Sequence, residues 1–300
     1  MLPNFLIAGV SRSGTTSLYH YLKQHPEVSF PELKEPRYFS SYKLKLPQNG
    51  PGDFSVDEKL IRSFNDYNLL YDLISNKFIG DASSEYLYNY EVSIPEIIKR
   101  LGDIPIVLIL RNPIDRSLSA YHNLIRDGRE HLNFDNALDI EEERIKLGYD
   151  EMWHYKNVSL YAKPVAAFLK SFSKVKVLIF EEFICNEKEK TLEVLDFIGA
   201  NTKLIDIDTS HSYSKSGVPK SKLIPLLFGR KTFIGNNLRK IAFKLLGRNN
   251  IENISKYFLS DKKEISLVEK QKLNLFFKDD IEELEKILQI KLDIWKIKEF

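Results

Sequence analysis

The 300-residue sequence has a single cysteine, Cys185. A lone thiol excludes an internal disulfide framework and suits a reducing compartment. The six histidines, His20, His25, His122, His131, His154 and His211, fall in no H-E-x-x-H or comparable ligand spacing. Cys185 has no cysteine neighbour either, so no metal site is expected. There is no G-x-S-x-G elbow, which disfavours α/β-hydrolase chemistry. No apolar run approaches the roughly 18 residues of a membrane span. Met1–Asn4 leads straight into the apolar Phe5–Ala8 without a basic leader, so no signal peptide is expected. These absences point to a soluble, cytoplasmic protein, and the Ile-, Lys- and Asn-rich usage to an AT-rich bacterial source. No nucleic-acid partner is expected.

What is present is ordinary globular composition, 43% hydrophobic and 29% charged, enough to bury a real core. The net charge of +2 is unevenly spread. Between Thr209 and Ile251 stand nine basic residues, including Lys215, Lys220, Lys222, Arg230 and Arg248, and no acid. That stretch suits an anion, an acidic glycan or a membrane surface, and equally a solvated helix face. Within it, 230–248 carries Phe233, Ile234, Leu238, Ile241, Phe243 and Leu245 and is amphipathic enough for peripheral membrane contact.

Apolar β-branched runs alternate with helical periodicity. Strands are predicted at Phe5–Gly9, Lys77–Gly80, Ile104–Leu110 and Val175–Phe180. Helices are predicted over Thr15–Gln24, Ile94–Leu101, about Ile114–Ile125, Tyr161–Phe172, Glu187–Ile198 and Glu269–Leu288. In the last, Leu273, Phe276, Phe277, Ile281, Leu284 and Leu288 form the apolar face. Continuous apolar strands separated by helices imply a mostly parallel sheet covered on both sides. The fold class is α/β, a P-loop-like three-layer α/β/α arrangement in one domain over 1–300, with 228–263 as a basic amphipathic insertion.

The most informative stretch is Gly9-Val-Ser-Arg-Ser-Gly14-Thr15-Thr16, set between the first strand and the first helix. A glycine-bounded loop there turns backbone N–H groups toward one point, and the helix N-terminus adds its positive end, making a phosphate cradle. The P-loop pattern G-x-x-x-x-G-K-[ST] is broken, because Thr15 stands where the lysine belongs. The strand Ile104–Leu110 ends in Arg111 rather than in an acid that would organise a metal. Both departures disfavour a Mg²⁺-dependent kinase. The second constellation is Arg111-Asn-Pro113-Ile-Asp-Arg116-Ser-Leu-Ser119-Ala-Tyr121. Arg111 leaves the carboxyl end of a strand, where open α/β sheets bind ligands, and with Ser119 two turns along the helix it can clasp a terminal phosphate.

Both segments resemble the two nucleotide-binding motifs of the sulfotransferases that use 3′-phosphoadenylyl sulfate (PAPS), closest in pattern to the heparan-sulfate-type and bacterial carbohydrate branch. The loop matches G-x-x-[KR]-[SGT]-G-T-[TRS] at Gly9, Arg12, Ser13, Gly14, Thr15 and Thr16. The second motif, R-x-P-x-x-R-x-x-S-x-Y, matches at Arg111, Pro113, Arg116, Ser119 and Tyr121. Lys34-Glu35-Pro36-Arg37-Tyr38-Phe39 resembles a K-E-P-H-F-F segment, Asp81–Tyr86 a G-E-x-S-P-x-Y segment, and Val177–Phe183 a strand ending Y-E-D-L. Pro219-Lys220-Ser221-Lys222 resembles a P-R-S-K segment set against the nucleotide, and Asp280, Leu284, Leu288 and Trp295 follow the closing helix.

The resemblance implies sulfuryl transfer from PAPS to a hydroxyl or amine acceptor, a carbohydrate by preference, without a metal. It implies Arg12 in the place of a catalytic lysine, Arg12, Ser13, Gly14, Thr15 and Thr16 around the 5′-phosphosulfate, Arg111 and Ser119 on the 3′-phosphate, and Lys220 and Ser221 beside the nucleotide. Glu35 is the candidate general base, its pKa expected to rise through partial burial. Ala82 occupies a position where some heparan-type relatives carry an assisting lysine. Plainer readings stand beside each role. Arg12 would be a turn arginine, Ser13 or Thr15 a helix cap, Arg111 an ion-pair partner, Ser119 a packing residue and Glu35 an exposed acid beside Lys34 and Arg37. His122 would lie on a helix surface. The alternatives in function are an atypical P-loop kinase and a non-catalytic nucleotide- or glycan-binding protein.

Overall fold

The computed structural model describes residues 1–211 and 265–296, together with the strands Val218–Pro219 and Leu259–Ser260. Five strands, β1 (Phe5–Gly9), β2 (Val28–Ser29), β3 (Phe78–Ala82), β4 (Ile106–Leu110) and β5 (Val175–Ile179), form one sheet in the order β2-β3-β1-β4-β5. All pairings in it are parallel. A separate antiparallel pair joins β6 (Val218–Pro219) to β7 (Leu259–Ser260).

Every residue of β1 and β4 is buried, and the strand alternation sorts their side chains onto two faces. Leu6, Ala8, Ile106, Leu108 and Leu110 meet Ile94 and Ile97 of the helix Tyr90–Leu101, Val165 and Phe168 of Ala162–Ser171, and Leu284 of the C-terminal helix Leu267–Leu288. Phe5, Ile7, Val107 and Ile109 meet Leu18, Tyr21 and Leu22 of the helix Thr15–Leu22 and Val194, Leu195 and Ile198 of Glu187–Ile198. These are the three layers expected from strands that read as unbroken apolar runs. A third cluster packs Ile114, Ala120 and Leu124 of the helix Pro113–Arg126 against Trp153, Tyr155, Leu273 and Phe277.

Several boundaries differ from the periodicity. β5 stops at Ile179, and Phe180 opens a short helix, Phe180–Cys185, rather than ending the strand. β2 has two residues, too few to leave a periodic signal. Phe276 is 47% exposed, so the apolar face of the C-terminal helix runs through Leu273, Phe277 and Leu284 instead. His122 is buried on the Pro113–Arg126 helix, not at its surface.

Close packing explains one glycine directly. A Cβ at Gly9 would lie 2.5 Å from Cβ of Leu87, whose backbone N–H donates to the carbonyl of Ala8 at 2.7 Å. The end of β1 is thereby pressed against the segment after β3, and loops follow β1, β2, β3 and β4 at this carboxyl edge, while β5 runs straight into a helix.

Candidate active site

The phosphate loop leaves β1 and enters the helix Thr15–Leu22 through Gly14, a left-handed N-cap at φ 87° with no side-chain cap. Neither Ser13 nor Thr15 caps this helix. Its first-turn amides are therefore left to solvent or to a ligand. Ser13 is fully buried, and its Oγ has no hydrogen-bond partner among the described residues.

Arg111 and Ser119 converge on this loop as the sequence predicts. Arg12 Nε donates to Ser119 Oγ at 3.3 Å, and Arg111 Nη1 donates to the Arg12 carbonyl at 3.0 Å. Arg111 packs over the Phe180 ring at 4.6 Å, and its buried Nε has no partner among the described residues. Among the described residues, neither Arg12 nor Arg111 pairs with a carboxylate. Burial, then the charges of Arg126, Arg111 and Arg116, lower the Arg12 pKa to about 10, against an opposing pull from Asp127. Uncompensated cations at the carboxyl edge of a parallel sheet suit an anion carrying more than one charged group.

Other groups hold this arrangement in place. Asn112 caps the Pro113–Arg126 helix, its Oδ1 accepting from the amides of Ile114 and Asp115 at 3.0 and 3.3 Å. Glu181 accepts from the Asn112 amide at 3.0 Å and from Trp295 Nε1 at 2.9 Å, which ties the end of β5 and the C-terminal turn to Arg111's loop. Arg116 is completely buried. It donates to the Ser11 carbonyl at 3.2 Å, to Ser11 Oγ at 2.9 Å and to the carbonyls of His154 and Tyr155 at 3.3 Å each. The motif arginine at position 116 thus braces the loop from behind.

Glu35 lies within electrostatic reach of Arg12, with its side chain 34% exposed and paired to Lys34. The expected rise in its pKa is corrected by the structure. Burial does push it up, but Lys34 above all, then Arg37 and Arg12, outweigh burial and hold it below the usual glutamate value. Glu35 is thus an ionised acceptor at neutral pH.

Residue 37, read only as part of the K-E-P segment, organises the neighbouring region. Its guanidinium reaches Glu85 at 3.1 Å, Asp150 at 3.5 Å and Glu151 at 3.1 Å. Burial lowers the Arg37 pKa, and the three carboxylates more than reverse this. Burial likewise raises Glu85 to about 8 and Glu151 to about 7, although Arg37 opposes both. Arg12 (φ 72°), Glu35 (φ 60°) and Arg37 (φ 58°) are three of the four non-glycine residues with left-handed backbone among the described residues. Such conformations cost about 1 kcal/mol or more each and concentrate where function over-determines the backbone.

Lys220 and Ser221 lie outside the described residues, as does the amphipathic 230–248 stretch. Among the described residues no helix is long and apolar enough to cross a membrane, and no group of three metal-ligating side chains occurs.

Comparison with known proteins gives a consistent result. The sulfotransferase family profile matches residues 3–203. A crystal structure of a sulfotransferase from Alicyclobacillus acidocaldarius superposes with a TM-score of 0.78 at 30% identity, covering 98% of this chain and 99% of the other. Membrane-associated sulfotransferase kil1 of Dictyostelium discoideum is 36% identical over 121 residues, which is 40% of this chain and 23% of the relative. Heparan sulfate glucosamine 3-O-sulfotransferase 3B1 of Mus musculus is 24% identical over 211 residues, 68% of this chain and 48% of the relative. The chain thus spans less than half the length of these two curated relatives.

Proposed function

The chain belongs to the sulfotransferase family and is a sulfotransferase, and from that premise we propose that it moves a sulfuryl group from PAPS to a carbohydrate hydroxyl. The observation that carries the donor assignment is the cradle of Arg12, Arg111 and Ser119, unbalanced among the described residues, where the buried Nε of Arg111 and Oγ of Ser13 also lack partners. Two separated anionic groups, a 3′-phosphate and a 5′-phosphosulfate, fit such a cradle without a metal. In this reading Arg111 and Ser119 bind the 3′-phosphate. The uncapped amides of Thr15 and Thr16, with Ser13, Gly14 and the threonine hydroxyls, hold the 5′ end. Lys220 and Ser221 complete the nucleotide contact.

PAPS supplies the sulfuryl group and a stable phosphate leaving group. The acceptor oxygen forms a bond to sulfur as the bond from sulfur to the 5′-phosphate oxygen breaks in line. Arg12 steadies the negative charge that develops on that phosphate oxygen. Being an arginine, it works by charge and hydrogen bonding and does not donate its proton. Glu35 takes the acceptor's proton. Its depressed pKa keeps it ionised near neutrality, and positioning makes up for modest basicity.

The carbohydrate acceptor is supported by the heparan sulfate named for the murine relative, and the cytoplasmic location by the solitary Cys185. The test is calorimetric titration with PAP, the desulfated nucleotide, with and without Mg²⁺. Binding is expected to be metal-independent and to weaken about 100-fold or more in Arg111→Ala. Absence of PAP binding, or a preference for ATP with Mg²⁺, would overturn the donor assignment.

A further inference from the structure

Among the described residues near the site, the Arg37 guanidinium is the cation that meets the most carboxylates, yet nothing in the transfer step uses it. Each of its nitrogens is directed to a different carboxylate: Nε to Glu85, Nη1 to Asp150 and Nη2 to Glu151. Those acids come from two parts of the chain, the segment after β3 and the turn Glu151–Trp153. The far acids are themselves fixed. Glu151 Oε2 accepts from Asn89 Nδ2 at 2.8 Å, and Asp150 Oδ1 accepts from the Met152 amide at 3.0 Å.

The Arg37 backbone is tied down as well. Its amide donates to Ser83 Oγ at 3.1 Å, and Ser83 Oγ donates to Asp81 Oδ1 at 2.7 Å. Asp81 also accepts from Tyr67 and Tyr86 at 2.8 and 2.7 Å. On the other side, the Arg37 carbonyl accepts from the Ser40 and Ser41 amides that begin the helix Tyr38–Ser41. Only Pro36 separates this anchor from Glu35. Pro36 has a restricted φ, its carbonyl accepts from the Ile61 amide at 3.2 Å, and both flanking residues are left-handed. A displacement at Arg37 has no slack in which to dissipate before it reaches Glu35.

We propose that Arg37 is the positioning residue for Glu35: its three-way fork onto Glu85, Asp150 and Glu151 fixes the Glu35–Pro36–Arg37 step and so sets where the Glu35 carboxylate stands relative to Arg12. The role depends on the fork and not on the charge alone. Lysine keeps the charge, but its single nitrogen cannot stand at the three separate positions that Nε, Nη1 and Nη2 occupy. The proposal rests on Glu35 being the base, so its test separates the two claims.

The full chain is loaded with labelled PAPS at enzyme excess, with water as the probe acceptor, and sulfate release is followed alongside PAP titration and amide hydrogen exchange. Glu35→Gln, Arg37→Gln, Arg37→Lys and the double variant Glu35→Gln/Arg37→Gln are compared with the parent. Both Arg37 variants are expected to slow release about 30-fold or more, since misplacement by an ångström costs that order. PAP affinity should stay within about threefold, and exchange at 33–37 should accelerate about tenfold. The double variant should be no slower than Glu35→Gln, because a misplaced glutamine loses nothing further. Full activity in Arg37→Lys, additive losses in the double variant, or unchanged exchange at 33–37 would each overturn the proposal. Should Arg37→Gln not fold, Arg37→Lys carries the same three readouts. Parent-like release in Glu35→Gln would remove the base assignment instead, and the exchange data would still decide whether Arg37 fixes the loop.

Discussion

Two charged regions lie side by side at the carboxyl edge of the sheet, and they are balanced in opposite ways. Around the phosphate loop, Arg12 and Arg111 have no carboxylate partner among the described residues, and Arg126, Arg111 and Arg116 depress Arg12. Around Arg37 one cation is shared by three acids, and two of those acids are pushed toward neutrality, Glu85 to about 8 and Glu151 to about 7. A cation cluster that the protein leaves unbalanced is completed by something from outside. An over-filled network is completed internally, by holding protons. The first pattern is what the proposed binding site calls for, and the second is what a scaffold supporting it calls for.

The strongest way to break this contrast is at Arg116, the one cation of the first region that serves the protein rather than a ligand. Arg116→Leu would take away the donor to the Ser11 carbonyl and hydroxyl, and one of the donors to the carbonyls of His154 and Tyr155, which keep the Val158 amide and the Ser117 and Ser159 hydroxyls respectively. A loss of about 3–5 kcal/mol in unfolding free energy is expected in urea denaturation. Arg111→Ala, by contrast, should cost PAP affinity with little loss of stability. Equal destabilisation by both would erase the division between brace and ligand-binding arginine.

The next effect concerns the acid-rich region and appears as pH dependence. A carboxyl whose folded pKa is raised holds a proton that the unfolded chain has already released, so folding stability falls as pH rises between the two values. For Glu85 the window runs from the ordinary glutamate value of 4.5 to about 8, and for Glu151 from 4.5 to about 7. Asp81, raised chiefly by burial to about 6, acts in the same direction at lower pH. His154 acts in opposition, because burial lowers it from 6.5 to about 4, and its contribution rises with pH within that interval. Of these four groups, Glu85 and Glu151 are the two that still act above pH 6.5. The parent should therefore lose stability from pH 6.5 to 8, and Glu85→Gln should lose about 2 kcal/mol less over that span, at about 1.4 kcal/mol per pH unit. Parallel stability curves for the two proteins would show that Glu85 is ionised in the fold.

The loop region that we propose binds the nucleotide left marks in the sequence, and the neighbouring Arg37 scaffold did not, for physical reasons. β1 and β4 are buried on both faces and so read as continuous apolar runs. The loop after β1 needs Gly9 against Leu87 and Gly14 at positive φ, and both demands leave a residue-specific mark. Arg111 and Ser119 lie eight residues apart on one strand–helix junction. The Arg37 network instead joins residues as many as 114 positions apart, and no local spacing encodes such a contact. The pKa of Glu35 went the wrong way for a different reason. Its main opposing charges, Lys34 and then Arg37, are sequence neighbours in plain view, and only Arg12 is brought in by the fold; what the sequence did not show is that together they outweigh burial. Phe276 beside Phe277 shows the limit of periodicity, since a single helical step of 100° separates a buried ring from a half-exposed one.

The smallest effect sharpens the comparison from the cationic side. Arg126 ends the Pro113–Arg126 helix, its side chain about one-third exposed and 3.7 Å from Asp127. After burial, it is the largest cause of Arg12's depression. If the cluster awaits an anion, like-charge repulsion is a cost of the ligand-free state that bound phosphate relieves. Arg126→Gln should then act in opposite directions on the two states. It should stabilise the ligand-free chain by about 0.5 kcal/mol, a modest figure because solvent screens a partly exposed charge, and weaken PAP binding about threefold. Raising the salt concentration should shrink both differences together. Thermal denaturation with and without PAP, at low and high salt, measures all of these. A variant destabilised in the ligand-free state would mean that Asp127 already balances Arg126, and the unbalanced region would contract to Arg12 and Arg111.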